Sequence, residues 1–179
     1  MDFEAYPKIA RLHRECIVTE KLDGTNGQIA IDLVAGTIQA GSRSRWLTEE
    51  ADNFGFHKWV MEHQEQLITQ LGEGRHFGEW WGGGINKRYP GAPKTFSLFN
   101  AGRWQPLVTS GALTVCAVVP VLYTGPFDLD EINQAFGDLS ISSVAWPPCT
   151  KPEGIIVYHT AKGYLFKKTF EHDEKGKPE

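Results

Sequence analysis

The sequence predicts an α+β fold in which antiparallel β-sheets are flanked by helices. Two periodicities support this prediction. Residues 27–33, GQIAIDL, alternate apolar and polar side chains and are followed by TIQAGSRS, a pattern typical of a β-hairpin. Between residues 52 and 71 the apolar side chains instead recur at three- and four-residue steps, and Gly72 follows. This second pattern predicts one amphipathic helix of about five turns.

The rest of the chain contains shorter elements. Strand-like runs are separated by Gly and Pro and read HFGEW, TFSLF, LTVCAVVPVLY, GIIVYH and GYLFKK. A further helix is predicted at LDEINQAFG, with Asp128 as its N-cap. We assign residues 1–170 to one domain and residues 171–179 to a polar C-terminal tail.

Composition narrows the class of protein. The chain has 179 residues, of which 41% are hydrophobic, enough for one domain with a sizeable core. It contains neither an apolar run that approaches the ~20 residues of a membrane span nor an N-terminal secretory signal. The cysteines are odd in number and widely spaced, which favours free thiols. We therefore expect a cytoplasmic monomer with no membrane partner.

The charge distribution leaves room for a local basic site. A net charge of −4 argues against a general polyanion-binding surface, although a basic groove is compatible with it. The basic residues include three doublets that lie far apart in sequence: Arg43 with Arg45, Lys87 with Arg88, and Lys167 with Lys168. If these doublets converge in the fold, they form a positive cleft.

Residues 19–29, TEKLDGTNGQI, place Lys21 close to two carboxylates and two glycines. The dipeptides Asp23-Gly24 and Asn26-Gly27 are typical of tight turns, which need positive φ angles. Turn formation explains the glycines but not the lysine. A lysine in such a setting can be a nucleophile, provided that nearby cations, a metal or desolvation favour its free amine.

Further motifs follow this stretch in a fixed order. They are SRSR at 42–45, FGEWWGGGINKRY at 77–89, FSLFNAG at 96–102, EGIIVY at 153–158 and LFKK at 165–168. Taken together, they resemble motifs I, Ia, III, IIIa, IV and V of the covalent nucleotidyltransferases, the superfamily of ATP-dependent RNA and DNA ligases and mRNA capping enzymes. The sequence is most similar to nick-sealing RNA ligases, because Glu20 precedes the motif lysine and Thr25-Asn26 follow Gly24.

The resemblance implies an ATP-grasp-like nucleotidyltransferase domain over about residues 6–170, and a role for each matching residue. Lys21 would carry AMP, Glu153 would bind Mg²⁺ or Mn²⁺, and Lys167 or Lys168 would hold the α-phosphate. Glu79 would hold the ribose hydroxyls, Phe99 would stack on adenine, and Glu20 with its backbone would read the adenine edge. Arg43 would contact the phosphate or the incoming RNA end. The full nucleotide-binding set is Glu20, Asp23, Gly24, Asn26, Arg43, Glu79 and Phe99.

Several assignments have alternatives. Phe99 also fits an ordinary strand core residue, and Arg45 fits the motif Ia position less well than Arg43 does. Lys87 and Arg88 fit either a solvated loop or an RNA phosphate contact. Motif V usually has two lysines that flank one residue, whereas here they are adjacent, and Asp23 stands where nick-sealing RNA ligases often have His.

The implied activity is ATP-dependent RNA ligation. Lys21 would be adenylylated, AMP would pass to a 5′-phosphate RNA end, and a 3′-hydroxyl would displace AMP, possible substrates including a nicked duplex. The alternatives are a minimal ATP-dependent DNA ligase, a GTP-using capping enzyme, and a non-catalytic module that binds RNA ends or nucleotides. Only about ten residues follow Lys168, so we expect a bare catalytic domain that adenylylates itself readily but seals poorly alone.

Overall fold

The computed structural model describes residues 2–86, 88–89, 91–145, 148–149, 151–171 and 173. Within these ranges the chain forms an α+β structure, which confirms the predicted fold class. The strands are β1 (Glu15–Glu20), β2 (Thr25–Asp32), β3 (Thr37–Gly41), β4 (Gly74–Trp81), β5 (Thr95–Leu98), β6 (Ala117–Val118), β7 (Val121–Pro126), β8 (Gly154–His159) and β9 (Tyr164–Thr169). The helices are α1 (Phe56–Glu62), α2 (Gln64–Leu71), α3 (Ala101–Thr109) and α4 (Leu129–Ile141).

The strands form two sheets. One has the order β7-β1-β8-β9 and is antiparallel throughout. The other has the order β3-β2-β4-β5-β6 and is antiparallel except for the short β5–β6 pair. Because β1 and β2 belong to different sheets, residues 21–24 cross from one sheet to the other. This crossing carries the motif lysine.

The helices cover one face of each sheet. Helices α1 and α2 pack on the five-stranded sheet through a core that includes Ile29, Phe56, Val60, Leu67, Trp80 and Phe96. Helix α4 packs on the four-stranded sheet through Cys16, Val18, Ile132, Leu139, Ile155 and Val157. Side chains alternate along a strand, so Asn26, Phe77 and Glu79 lie on the face of their sheet opposite α1.

The prediction of one helix over residues 52–71 is wrong in its detail. The segment forms two helices that meet at His63, which has φ −112° and ψ 14°. The His63 ring nitrogen Nδ1 lies 2.8 Å from the carbonyl oxygen of Trp59, so the side chain competes for an acceptor of the helix ladder. Asp52 lies before α1 and accepts hydrogen bonds from the amides of His57 and Lys58. The predicted stop at Gly72 is confirmed.

The second half of the chain departs from prediction at two places. The single run LTVCAVVPVLY divides at Pro120 into β6 and β7, which belong to different sheets. Helix α3 was not predicted, because Gly102 and Pro106 lower the helical propensity of its sequence. The Asn100 side chain caps it by accepting from the amide of Arg103. The Asp128 cap is confirmed, although α4 extends beyond the predicted segment to Ile141.

Two expectations from composition can be compared with the structure. All three cysteines are free and buried, as predicted. In the part of the chain that the structure describes, no helix is both long and apolar enough to cross a membrane.

Candidate active site

Lys21 lies at the crossing between the two sheets and is paired with Glu153. Its Nζ is 2.5 Å from Glu153 Oε1, and both side chains are 26% exposed, so the pair is reachable from solvent. The Lys21 amide donates to the carbonyl oxygen of Gly154, which fixes the lysine backbone against the start of β8. Gly154 has φ 150°, and a Cβ there would overlap the carbonyl oxygen of Lys168. Motifs I and IV therefore meet through both backbone and side chain.

Glu79 lies beside this pair on β4 and is only 8% exposed. Its Oε1 accepts from the Gly24 amide at 3.1 Å, and its Oε2 accepts from Asn26 Nδ2 at 2.9 Å. Burial raises the pKa of Glu79 to about 7, even though the Asn26 bond and the Lys21 charge lower it. Each carboxylate oxygen keeps a further lone pair for a ligand hydroxyl. We call Lys21, Gly24, Asn26, Glu79 and Glu153 the lysine centre.

The glycines of this segment have a different role from the one that turn chemistry suggests. Neither Gly24 nor Gly27 has a positive φ, and Gly27 lies inside β2 rather than in a turn. A Cβ on Gly24 would overlap the carbonyl oxygen of Trp80, and one on Gly27 would lie 2.8 Å from the Phe56 ring. The turn interpretation is therefore wrong for Asn26-Gly27, whereas Gly24 lies at a bend just before β2 that needs no positive φ. Gly24 allows close packing against β4, and Gly27 allows close packing against α1.

Asp23 is held by the segment that follows β4. Its Oδ2 accepts from Arg88 Nε at 2.5 Å, and its carbonyl oxygen accepts from Asn86. Arg88 Nη1 also donates to the carbonyl oxygen of Lys151 at 2.6 Å. Arg88 thus links motif I to the segment before Glu153. From the sequence, Arg88 was predicted to be a solvated loop residue or an RNA phosphate contact. The opposite charges of Asp23 and Arg88 are compatible with their ion pair, but the two residues are too far apart in sequence for local patterns to predict it.

Glu20 lies beneath the lysine centre and is 1% exposed. Its carboxylate accepts from the Ser143 hydroxyl at 2.5 Å and from the amides of Val144 and Ala145 at 2.8 and 3.0 Å. The Tyr89 hydroxyl donates to it at 3.4 Å. The structure therefore places the Glu20 carboxylate on protein donors, where it anchors residues 143–145 next to Lys21.

The two motif V lysines face opposite sides of β9. Lys168 Nζ donates to Asn133 Oδ1 at 2.7 Å and lies 4.5 Å from the centre of the Phe136 ring, both on α4. Lys167, its neighbour in the strand, is exposed on the opposite face, the face that carries Leu165. Only Lys167 is directed away from α4.

An open groove of about 510 Å³ continues from Asn26 along the outward face of β2 and β4. Lys21, Glu79 and Glu153 are not part of its wall, and Asn26 is the residue that belongs to both sites. Its further lining includes Gln28, Arg43, Arg75, Phe77, Phe99 and Arg103. We call it the arginine groove. Phe99 is 42% exposed there, unlike the buried Phe96 and Leu98, so the core interpretation of Phe99 is not what the structure shows.

The basic doublets do not converge as pairs. Arg43 lines the arginine groove, whereas Arg45 Nη1 donates to the carbonyl oxygen of Ala51 at 2.6 Å. Arg88 is bound to Asp23, and Lys87 lies outside the described residues. Two arginines that the sequence did not single out, Arg75 and Arg103, join Arg43 instead. In the described ranges no three side chains of the His, Cys, Asp and Glu type form a metal-binding group.

The sequence matches a family of known proteins. The model of the family described as RNA ligase matches residues 14–169. The chain belongs to the RNA ligase family. The match includes every residue of the lysine centre and both lysines of motif V. No curated protein matches the chain at a significant level.

Solved RNA ligases share the fold. A Naegleria gruberi RNA ligase variant solved without ligand has a TM-score of 0.63 at 18% identity, over 88% of this chain and 50% of that chain. A second variant, solved with ATP and manganese, gives the same four values. An archaeal ATP-dependent RNA ligase has a TM-score of 0.63 at 18% identity, over 93% of this chain and 48% of that chain. This RNA ligase chain thus spans about half the length of the ligases that it matches.

Proposed function

We propose that this chain is the adenylylating domain of an ATP-dependent RNA ligase. The observation that carries the proposal is the pairing of Lys21 Nζ with Glu153 Oε1 at 2.5 Å, beside the buried Glu79, in a chain of the RNA ligase family. A binding module needs no nucleophile, whereas this geometry presents one amine with a carboxylate to orient it.

The reaction has three steps. Lys21 Nζ attacks the α-phosphorus of ATP, an N–P bond forms, the P–O bond to pyrophosphate breaks, and the amine loses its proton. An oxygen of an RNA 5′-phosphate then attacks the phosphorus of the lysine-bound AMP; a P–O bond forms and the N–P bond breaks, which frees the lysine and leaves AMP on the RNA 5′-phosphate. Finally a 3′-hydroxyl attacks that phosphate and displaces AMP, which leaves a phosphodiester. A solved relative binds ATP and manganese, which supports ATP as the nucleotide.

The residues of the lysine centre fit these steps. Glu153 Oε1 lies within hydrogen-bond distance of Nζ, so it orients the amine and can accept its proton. Glu79 would accept from the ribose hydroxyls through its remaining lone pairs, while the Gly24 amide and Asn26 hold it in place. Lys167, on the exposed face of β9, would meet the α-phosphate, and Phe99 would stack on the base.

A divalent metal also fits this donor set. Mg²⁺ typically binds through one or two carboxylates together with substrate phosphates and several waters, rather than in an all-protein cage. Glu153 supplies one such carboxylate, which is compatible with the lack of a larger acidic cluster in the described ranges. When bound, Mg²⁺ or Mn²⁺ would neutralise phosphate charge.

The test is covalent labelling. The purified chain is incubated with Mg²⁺ and ATP labelled on its α-phosphate, denatured, separated by electrophoresis and mapped by peptide mass. We expect one AMP on Lys21 and complete loss of the label in Lys21→Ala. Lys58→Ala is a matched control, because Lys58 is also paired with a glutamate, Glu62 at 3.8 Å, but on an exposed helix face.

The outcomes separate the candidate functions. An adduct on another residue, or no adduct with a folded protein, would overturn the proposal. Labelling by GTP in place of ATP would favour the capping enzyme. Sealing of an all-DNA nick in preference to one whose 3′-hydroxyl strand is RNA would favour the DNA ligase.

A further inference from the structure

The arginine groove is a concentration of positive charge in a chain whose net charge is −4. Arg75 and Arg103, which line it, form no ion pair with a carboxylate in the part of the chain that the structure describes. Arg88, by contrast, is bound to Asp23. Cations left without partners in a concave surface attract a polyanion.

Aromatic rings hold the two arginines in place and leave their N–H groups available. The Arg75 guanidinium carbon lies 5.6 Å from the centre of the Trp46 ring, and that of Arg103 lies 4.1 Å from the centre of the Trp104 ring. Trp104 is buried and packs against His76. A guanidinium stacked on a ring keeps its edge free for phosphate oxygens.

The groove also contains exposed aromatic rings that are not part of a hydrophobic core. Phe77 of β4 lines the groove and is 52% exposed. Phe99 is its neighbour, because the Phe99 amide donates to the Phe77 carbonyl oxygen at 3.0 Å. Exposed aromatic rings that alternate with arginines are the arrangement that binds single-stranded nucleic acid, since bases stack on the rings and phosphates meet the cations.

Gln28 supplies a feature that a site for phosphate alone would not need. Its Nε2 donates to the carbonyl oxygen of Ser42 at 3.3 Å, which fixes the orientation of the amide. Its Oε1 is buried and has no hydrogen-bond partner. The side chain lies against Gly41, where a Cβ would come within 2.7 Å of Gln28 Cγ. A fixed, buried acceptor among cations is suited to a hydroxyl donor, and RNA carries one on every ribose that DNA lacks.

We propose that the arginine groove binds a single-stranded segment of RNA beside the end to be joined. Arg75 and Arg103 bind its phosphates, Phe77 stacks on a base, and Gln28 Oε1 accepts from a ribose 2′-hydroxyl. This inference rests on the proposed function and extends it, because it gives the RNA a path that begins at Asn26, next to the lysine centre.

The test uses fluorescence anisotropy with an unstructured, labelled RNA of about twelve nucleotides, a length within the usual range of single-strand sites. In Arg75→Ala/Arg103→Ala, we expect at least tenfold weaker binding and a salt slope reduced by about 1.4, since each phosphate contact on a single strand contributes about 0.7. The control Lys58→Ala/Lys162→Ala removes the same charge from exposed positions and should bind within about twofold of wild type.

Two further measurements separate this inference from its alternatives. Labelling of Lys21 is measured at several ATP concentrations in the same variants. If Arg75→Ala/Arg103→Ala raises the ATP concentration for half-maximal labelling and leaves RNA affinity unchanged, the groove holds the triphosphate and the proposal is overturned. If wild type fails to label but RNA binding depends on the two arginines, the adenylylation proposal fails and the groove assignment stands.

The Gln28 assignment has its own readout. Wild type should bind the RNA about fivefold more tightly than DNA of the same sequence, the effect expected of one hydrogen bond. Gln28→Leu, which has a similar volume and lacks the acceptor, should bring that ratio close to one. Its melting temperature should decrease by only about 2 to 4 °C, since the hydrogen bond to Ser42 is also lost. If the ratio of RNA to DNA affinity is the same in wild type and Gln28→Leu, Gln28 does not bind the ribose 2′-hydroxyl and this assignment is overturned.

Discussion

The lysine centre and the arginine groove share Asn26 and differ in how their charges are satisfied. In the lysine centre Lys21 is paired with Glu153, and both oxygens of Glu79 accept hydrogen bonds. In the arginine groove Arg75 and Arg103 have no carboxylate partner among the described residues. The difference supports our two proposals, because chemistry needs fixed geometry before substrate arrives, whereas unpaired cations suit the binding of a flexible polyanion.

Among these predictions, removing the charge of Glu153 should have the largest effect on the lysine centre. Glu153→Gln keeps the shape but loses both the ion pair with Lys21 and the metal ligand, so we expect Lys21 labelling to fall at least a hundredfold. The pair is partly exposed, so the melting temperature should change little. Labelling rates at several Mg²⁺ concentrations measure the effect, and a full rate at ordinary Mg²⁺ would show that Glu153 has neither role.

The two motif V lysines provide a comparison within one strand. Lys167→Ala should slow labelling by about ten- to a hundredfold, the range typical of losing one charge-stabilising donor, and leave the melting temperature unchanged. Lys168→Ala should leave the labelling rate nearly unchanged and lower the melting temperature, because Lys168 binds Asn133 and covers Phe136 on α4. The labelling rate and the melting temperature of both variants are measured side by side. Slow labelling in Lys168→Ala with normal stability would reverse the assignment.

Arg88 lies outside the lysine centre and tests how far that site depends on neighbouring contacts. Arg88→Ala releases Asp23 Oδ2 and the carbonyl oxygen of Lys151, so we expect about tenfold slower labelling through misplacement of Lys21. Arg88→Lys should recover little, because an ammonium cannot reproduce the guanidinium fork. The decrease should appear in the maximal rate more than in the ATP concentration for half-maximal labelling. Complete recovery by Lys would show that only the charge of Arg88 matters.

Local patterns predicted much of this fold. Alternation predicted the segment of β2, and short strand-like runs separated by Gly and Pro predicted those of β4, β5, β8 and β9. These strands carry or adjoin Asn26, Glu79, Phe99, Glu153 and Lys167. The Asp128 cap was predicted because a cap depends on a few adjacent residues. The presence of Lys21, Glu79 and Glu153 in one site was inferred from resemblance, since nothing in local periodicity pairs two strands of different sheets.

The remaining features depend on contacts between distant residues. Gly24 and Gly27 carry the residue types of a turn, yet their neighbours Trp80 and Phe56 determine why they must be glycine. Lys167 and Lys168 could not be distinguished until α4 was seen to cover one face of β9. Helix α3 was missed because of its Gly and Pro, and with it the placement of Arg103 in the arginine groove.

The smallest expected effect concerns the buried carboxyl of the lysine centre. Burial raises the pKa of Glu79 to about 7 from its ordinary value of 4.5, so between these pH values the folded chain holds a proton that the unfolded chain has lost. The free energy of unfolding therefore decreases as pH rises through this window, by about 3 kcal/mol at 1.4 kcal/mol per pH unit. In a chain of this size that corresponds to a decrease of about 6 to 12 °C in melting temperature.

Glu79→Gln separates this contribution from that of every other titrating group. The introduced amide resembles the protonated carboxyl and cannot ionise. The melting temperature of the Glu79→Gln variant should therefore decrease less between pH 5 and pH 7.5 than that of wild type. Glu73→Gln, at an exposed position just before β4, should follow the wild-type curve. Calorimetry across this range measures all three proteins. Parallel curves for wild type and Glu79→Gln would mean that Glu79 is ionised throughout, and the lysine centre would then carry more negative charge at neutral pH than a pKa of about 7 gives it.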